Sequence, residues 1–182
     1  MKIFALAASL NTNSVNKKLI NIIGKELKDQ GHELDIANFN DFTLPLFSPD
    51  IEKKQDHLDF VGTIVARINF CDAIIFACPE YNYSISGSFK NFIDWLSRQP
   101  NFWKTKKILL VSTSPALAGG ARGLWATRIP LEGCGAYVYP EMYTLGESYK
   151  NMDDKGNLII SDLSRLKSSL DGFIEFSTKL RQ

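Results

Sequence analysis

The chain has 182 residues, enough to bury one sizeable hydrophobic core, and we expect residues 1–182 to form a single domain. Its 21 basic and 20 acidic side chains leave a formal net charge of +1 with both signs interspersed, which argues against a nucleic acid or a membrane surface as the main partner. No apolar run approaches the roughly twenty residues that a membrane-spanning helix needs. We therefore expect neither a nucleic-acid partner nor a membrane partner.

The apolar residues predict alternating strands and helices. Runs typical of strands buried on both faces lie at 2–8, 73–78, 107–113 and 136–139, and a short alternating segment at 33–37 adds a fifth strand. Apolar residues at helical spacing predict helices over 13–30, 54–70, 86–98, 119–131 and 163–180. Residues 38–53 are interpreted as an irregular connection, and residues 143–162 as an excursion with a hairpin-like turn at 154–157.

Five short strands separated by amphipathic helices predict a parallel sheet with helices on both faces. For a chain of this length we favour the flavodoxin-like strand order 2-1-3-4-5, which gives a three-layer α/β sandwich. That order places ligands beyond the carboxyl ends of the first and third strands. We therefore expect the loops after the first, third and fourth strands to converge on one site.

The cysteines and histidines give no sign of a disulfide framework or a zinc site. Three cysteines is an odd number, no CxxC pair is present, and Cys71 and Cys78 flank a predicted strand, where free cysteine usually serves as a small buried hydrophobe. His32 and His57 alone cannot complete a zinc cluster. The apolar segment at 3–10 is too short for a secretion signal. These features favour the reducing environment of the cytoplasm.

The first loop, residues 9–16, combines hydroxyl and amide side chains directly before a predicted helix. Exposed N–H groups and the positive end of the helix dipole favour a phosphate there. Lys17 and Lys18 lie in the first turn, where the dipole disfavours cations and a bound anion would relieve the conflict. The alternative is that one of residues 12–14 only caps the helix while the lysines are solvated. Because neither GxxxxGK[ST] nor GxGxxG occurs, a mononucleotide phosphate fits better than a dinucleotide held in a Rossmann manner.

The other two loops offer flat surfaces and close backbone approach. PEYNYS at 79–84 places two tyrosines beside hydrogen-bonding groups, which suits a flat ligand with polar edges. Tyr81 and Tyr83 could instead pack locally or at a subunit contact. The loop at 112–122 contains Gly119 and Gly120 at a helix start, where glycine lets the backbone approach a ligand, although the pair could also be a flexible turn.

Two motifs in these loops resemble a known family. They read Ser9-Leu10-x-x-x-Ser14-x-Asn16-x-x-Leu19 and Pro79-Glu80-Tyr81-Asn82-x-Ser84-x-x-Gly87-x-x-Lys90-Asn91-x-Ile93-Asp94-Trp95. They look like the NADPH-dependent FMN reductase family, whose flavodoxin-like members include quinone, chromate and azo-dye reductases. The loop at 114–122 is similar to that family's glycine-rich loop on the flavin side. The likeness covers nearly the whole chain.

The resemblance implies an FMN site with three parts. The phosphate would lie on the first loop, the isoalloxazine on the second, and the third loop would close the other side. The implied cofactor-binding residues are Ser9, Asn11, Ser14, Val15, Asn16, Pro79, Glu80, Tyr81, Asn82, Tyr83, Ser114, Gly119 and Gly120. Two departures stand out, because the family usually has arginine where this chain has Asn11 and often glycine where it has Ala116. Loss of the arginine predicts weaker FMN binding, which Lys17 or Lys18 would offset in part.

The implied activity is hydride transfer from NADPH or NADH to the N5 atom of FMN and on to a quinone, a free flavin or a similar acceptor. FMN carries this chemistry in two ping-pong steps, so no side-chain acid or base is expected. For Glu80 a loop-orienting or subunit-facing role is favoured over catalysis. Arg122 and Arg128 are candidates for contacting the phosphate that distinguishes NADPH from NADH.

Two other functions remain open. A non-enzymatic flavodoxin-like electron carrier would usually be strongly acidic, unlike this nearly neutral chain, and a flavin-free binding protein is the second alternative. We also expect a homodimer or homotetramer, because the resemblance favours one near the third helix. Phe92, Trp95, Phe102 and Trp103 supply more aromatic surface there than one core face needs, although they could simply fill the core.

Overall fold

The computed structural model describes residues 1–54, 58–153 and 157–180, with only the backbone described at 58 and 59. The strands are β1 (Lys2–Ala7), β2 (Glu33–Asn38), β3 (Ala73–Ala77), β4 (Glu80–Tyr81), β5 (Ser84–Ile85), β6 (Lys107–Thr113), β7 (Tyr137–Val138) and β8 (Tyr143–Leu145). The α-helices are α1 (Val15–Asp29), α2 (Pro49–Lys54), α3 (Leu58–Asn69), α4 (Gly87–Ser97), α5 (Ala121–Gly133), α6 (Ser148–Asn151) and α7 (Ile160–Lys179). A 3-10 helix covers Phe39–Asp41.

The main sheet is parallel and has the order β2-β1-β3-β6-β7, with β8 also pairing with β6. The predicted order 2-1-3-4-5 is confirmed, with β6 as the fourth strand. The fifth position is shared, because β7 pairs with the start of β6 and β8 with its end. A separate antiparallel hairpin is formed by β4 and β5.

The predicted excursion at 143–162 does not begin at residue 143, because β8 still pairs with β6 in the main sheet, and α6 follows it. Pro140 lies between β7 and β8, and proline has no N–H to donate to a ladder, so the fifth strand is interrupted. The three residues of β8 are too few to give a clear periodic signal. Residues 154–156 of the predicted turn lie outside the described residues, and the turn stays a prediction.

Two other predictions need correction. The connection at 38–53 contains the 3-10 helix and α2. The helix predicted from residue 119 begins at Ala121, because Gly119 and Gly120 have left-handed φ angles of 61° and 90°. The predicted helix over 54–70 corresponds to α3, while residues 55–57 lie outside the described part.

The hydrophobic core forms two layers, one on each face of the sheet. Alternate side chains of a strand point to opposite faces, so Phe4 and Phe76 pack with α3, α4 and α5. Ile3 and Ile75 pack with α1 and α7 on the other face. Strands buried on both faces explain the nearly continuous apolar runs of the sequence.

The four aromatic residues expected near a subunit contact are buried inside the chain. Phe92, Trp95, Phe102 and Trp103 are all at most 5% exposed. The prediction that these side chains supply aromatic surface for a subunit contact is therefore wrong. The reason is a segment that covers the outer side of α4: the Trp95 indole N–H donates to the Pro45 carbonyl over 2.7 Å. None of the helices in the described ranges is both long and apolar enough to cross a membrane.

Candidate functional site

Three polar connections hold the loops after β1, β3 and β6 together at one edge of the sheet. The Asn16 side chain bonds to the backbone of Thr113 at the end of β6. The Ser112 hydroxyl donates to the Cys78 carbonyl over 2.7 Å, which joins β6 to the start of the second loop. The Glu80 carboxylate accepts from backbone N–H groups of α5. The predicted convergence of the loops is therefore observed.

The first loop winds into the N-terminus of α1 through its own side chains. Ser14 is the N-cap, and its hydroxyl accepts from the Asn16 N–H over 3.2 Å. The Asn11 side-chain oxygen accepts from the Asn13 N–H over 2.9 Å, and the Ser9 hydroxyl accepts from the Asn11 N–H over 3.3 Å. Within the described part of the chain, the N–H of Val15 has no acceptor. Ser14 thus caps the helix while the first turn still offers N–H groups at its positive end.

Asn16 connects the first loop to the third. Its side-chain nitrogen donates to the Thr113 carbonyl over 3.1 Å, and its oxygen accepts from the Thr113 N–H over 3.0 Å. The residue is buried, so water does not compete for these bonds. Asn16 therefore fixes the position of α1 against β6, and its side-chain oxygen is already engaged.

The second loop is a rigid hairpin that displays two aromatic rings. Asn82 and Tyr83, between β4 and β5, have φ angles of 50° and 62°, the left-handed conformation of a tight two-residue turn. Tyr81 and Tyr83 are exposed, and the Arg122 guanidinium lies 4.9 Å from the centre of the Tyr83 ring. The hairpin thus carries two exposed rings at the edge where the three loops meet.

Glu80 attaches this hairpin to α5. One carboxylate oxygen accepts from the N–H groups of Arg122 and Gly123 over 2.9 and 3.1 Å, and the other lies 3.4 Å from the Arg122 guanidinium. A carboxylate at a helix N-terminus is stabilised by the free N–H groups and the helix dipole. Both oxygens are engaged in holding the hairpin, which supports the loop-orienting role expected for Glu80.

Gly123 is a residue that the sequence did not single out. A β-carbon at this position would lie 2.9 Å from the Glu80 α-carbon and 3.3 Å from the Ser84 carbonyl oxygen. Only glycine therefore lets α5 approach the hairpin this closely. A glycine inside the helix predicted over 119–131 was the available signal.

The third loop is supported by the end of β8 and by the segment that follows it. The Ser114 N–H donates to the Leu145 carbonyl, and the Ser148 N–H donates to the Ser114 carbonyl, both over 3.1 Å. Gly119 lies against the backbone of Leu145 and Gly146, and a β-carbon on Gly120 would collide with the Ser112 hydroxyl. The two glycines are thus required by a left-handed backbone in a tightly packed loop. This support was missed because it depends on β8.

The two arginines considered for NADPH recognition differ in their surroundings. Arg122 is half exposed beside Glu80 and Tyr83. Arg128 is largely buried: its guanidinium donates to the Val138 and Tyr139 carbonyls and pairs with Glu132 at 2.7 Å. Arg128 therefore anchors α5 to β7 and is not free to bind a ligand.

The two cysteines that flank β3 are not reactive nucleophiles. Burial raises the pKa of the Cys78 thiol far above its ordinary value, and it raises the pKa of Cys71 to about 11. Both thiols are therefore neutral near pH 7 and unreactive. Across the described ranges, no three His, Cys, Asp or Glu side chains are grouped so that they could hold a metal ion.

Comparison with known proteins gives consistent matches. Residues 1–150 match the model of the NADPH-dependent FMN reductase family. A probable NADPH:quinone oxidoreductase 2 of Oryza sativa subsp. japonica is 32% identical, covering 100% of this chain and 91% of the relative. An NAD(P)H:quinone oxidoreductase of Solanum tuberosum is 36% identical over 120 residues, 66% of this chain and 62% of that protein's length. The solved structure of FerB, a flavoenzyme NAD(P)H:(acceptor) oxidoreductase from Paracoccus denitrificans, is similar with a TM-score of 0.82 and 26% identity, covering 98% and 97% of the two chains.

Proposed function

Since the chain belongs to the NADPH-dependent FMN reductase family, we propose that it is an FMN-dependent NAD(P)H:quinone oxidoreductase. The observation that carries the proposal is the convergence of three segments: the first loop at the start of α1, the hairpin of β4 and β5, and the third loop with its two glycines. Asn16, Ser112 and Glu80 hold these segments together. The rice relative and FerB, which span nearly the same length, are named for NADPH:quinone and NAD(P)H:acceptor activity. The name of the rice relative supports a quinone as the acceptor class.

The residues of the first loop fit the phosphate end of FMN. A phosphate monoester needs several donors, and this loop offers the hydroxyls of Ser9 and Ser14, the Asn11 amide nitrogen and the Val15 N–H at the positive end of α1. This set lacks the guanidinium that the family usually places at position 11. We expect binding to rest on hydrogen bonds and the helix dipole.

The second and third loops fit the ring end. Tyr81 and Tyr83 display flat surfaces on a hairpin whose position is fixed by Glu80, and Pro79 and Asn82 complete its edge. Ser114, Gly119 and Gly120 form the opposite wall. When bound, FMN supplies the acceptance and donation of hydride. The chain's own contribution is to hold a planar ring and to leave one slot that NAD(P)H and the quinone occupy in turn.

The kinetic pattern tests the proposal. A shared slot predicts ping-pong kinetics, so plots of reciprocal rate against reciprocal NADPH at several quinone concentrations should be parallel. Absence of turnover in fully FMN-loaded protein would favour the electron-carrier alternative. A colourless protein that takes up no FMN would favour the flavin-free binding protein.

A pair of tyrosine variants tests the ring site itself. Tyr83→Ala should weaken FMN binding by about tenfold, the order of one lost aromatic contact. Tyr137→Ala is the matched control, because Tyr137 is also exposed but begins β7 near the amino end of β6. Equal FMN dissociation constants for the two variants would contradict the placement of the ring on the hairpin.

We also propose that the protein is a homodimer or homotetramer. The support is an exposed apolar surface on α5 and the hairpin: Trp125 and Ile129, one helical turn apart, are 60% and 73% exposed, and Tyr83 is 73% exposed. Large exposed aromatics beside an arginine are typical of interfaces. Light scattering after size exclusion should give a dimer or tetramer for the wild type and a smaller species for the pair Trp125→Glu and Ile129→Glu. The control is Leu46→Glu, and a wild-type monomer would overturn this proposal.

The remaining proposals concern the compartment and the domain. A cytoplasmic location is supported by three free thiols, at Cys71, Cys78 and Cys134. A single FMN-binding domain over 1–182 is supported by the participation of α7 in the core beneath β1.

A further inference from the structure

The backbone of the third loop packs directly on the backbone of the segment that follows β8. A β-carbon on Gly146 would lie 2.2 Å from the Leu117 carbonyl oxygen and 3.2 Å from that of Ala116. From the other side, a β-carbon on Gly119 would lie 2.8 Å from the Gly146 nitrogen. Because these neighbours are backbone atoms, no flexible side chain can move aside to make room. Only glycine at position 146 therefore lets the two segments lie this close.

Glu147, the next residue, is held in an unusual backbone conformation. Its φ and ψ angles are 47° and 48°, in the left-handed region that residues with a side chain seldom adopt. Its N–H donates to the Ala116 carbonyl over 3.2 Å, and the Asn151 side chain donates to the Gly146 carbonyl over 2.9 Å. Such a conformation persists where the surrounding contacts fix it, and it is frequent at ligand-binding segments. The bond to Ala116 and the packing of Gly146 hold it here.

Thr113 joins the same segment to the rest of the site. Its hydroxyl donates to the Leu145 carbonyl over 3.0 Å, and its backbone N–H and carbonyl bond to the Asn16 side chain at the start of α1. Thr113 is 1% exposed, so water does not compete for these bonds. The last residue of β6 thus contacts both the start of α1 and the end of β8.

The third loop forms the wall opposite the hairpin at the ring end of the proposed FMN site. The hairpin is fixed by the bonds of Glu80 to α5, whereas Ser114 and Gly119 rest on the segment after β8. The spacing of the two walls therefore depends on where that segment places the third loop. A binding site loses affinity when the contacts behind one of its walls allow that wall to move.

We propose that Gly146 and Thr113 are positioning residues for the ring end of the site, an inference that rests on the proposed reductase function. Gly146→Ala should weaken the binding of FMN and of riboflavin, which has the same ring without the phosphate, by the same factor. That factor is about tenfold, because an added methyl group must displace packed backbone. Asn11→Ala, at the phosphate end, should weaken FMN only. Gly133→Ala is the matched control and should change neither dissociation constant, because a β-carbon there would meet no described atom within 4 Å.

A second pair of variants tests the same support without adding volume. Thr113→Val removes the hydroxyl at nearly constant size and should weaken both flavins about threefold. Thr113→Ser keeps the hydroxyl and should restore wild-type affinity. Quenching of flavin fluorescence by folded protein measures all of these dissociation constants. Wild-type affinity of Thr113→Val for both flavins would refute the role of Thr113.

The outcomes for Gly146→Ala separate a positioning role from a merely structural one. If the free energy of unfolding falls while both dissociation constants stay at wild-type values, the inference is wrong. If FMN is weakened and riboflavin is not, the third loop serves the phosphate end, which also overturns it. If the wild type binds neither flavin, the reductase proposal fails, and hydrogen exchange of residues 114–120 still tests the loop. Faster exchange in Gly146→Ala than in Gly133→Ala supports the positioning, and equal exchange overturns it.

Discussion

Replacing Glu80 with glutamine separates a structural role of this carboxylate from a catalytic one. The substitution keeps the size of the side chain but removes its charge. In the structure, one oxygen accepts two backbone N–H groups of α5 and the other faces the Arg122 guanidinium. Glutamine can still accept through one oxygen, but its amide nitrogen must face a donor. Hydrogen bonds to a charged group contribute about 1.5–3 kcal/mol, and we expect Glu80→Gln to lower the free energy of unfolding by about 2 kcal/mol.

The consequence for function follows from the position of the hairpin. A loosened hairpin should weaken FMN binding by about tenfold, while kcat at saturating FMN falls by less than about fivefold. A general acid or base would instead contribute about a hundredfold or more to kcat. Urea unfolding, FMN fluorescence quenching and quinone reduction at saturating FMN measure the three quantities. The control is Glu52→Gln, because Glu52 also pairs with an arginine, Arg98, but at the surface, where a pair contributes at most about 1 kcal/mol.

The reasoning on Glu80 is refuted by one combination of results. If Glu80→Gln lowers kcat a hundredfold while unfolding and FMN affinity stay at wild-type values, the carboxylate acts in the reaction. If Glu52→Gln destabilises as strongly as Glu80→Gln, the capping of α5 is not the cause of the loss.

The remaining predictions concern the support of the site and the thiols. Asn16→Ala leaves the N–H and the carbonyl of Thr113 without their hydrogen-bond partners. We therefore expect the free energy of unfolding, measured with urea, to fall by about 3 kcal/mol, and a decrease under about 1 kcal/mol would contradict the connecting role of Asn16. Gly123→Ala should displace the hairpin and weaken FMN binding. Gly133→Ala should not, because a β-carbon at Gly133 would meet no atom within 4 Å. Equal FMN dissociation constants for the two variants would refute the close approach of α5 to the hairpin. Cys134 is exposed and should react with a thiol reagent at pH 8 within minutes, whereas the buried Cys78 should react only after unfolding. Rapid reaction of Cys78 in the folded protein would contradict its burial.

The sheet and the convergence of the loops could be predicted from the sequence because they depend on local patterns. The runs at β1, β3 and β6 are apolar on both faces, and the strand order then places their carboxyl ends together. β8 could not be predicted, because Pro140 interrupts the fifth strand and three residues carry too little periodicity.

The errors come from contacts between distant segments. Trp95 and Trp103 are buried by the fold around α4, partly through the segment at Pro45, and composition alone does not reveal which segment covers a helix. The partner of Glu80 is a pair of N–H groups 42 and 43 residues away, and only the fold brings them together.

The most direct test of the central claim is the visible spectrum of the purified protein, mixed with FMN and followed without oxygen through addition of NADPH and then p-benzoquinone. We predict one FMN per chain, loss of the flavin absorbance near 450 nm on addition of about one equivalent of NADPH, and its return when the quinone is added. A protein that binds no FMN, or whose bound FMN is not bleached by NADPH or NADH, would contradict the assignment.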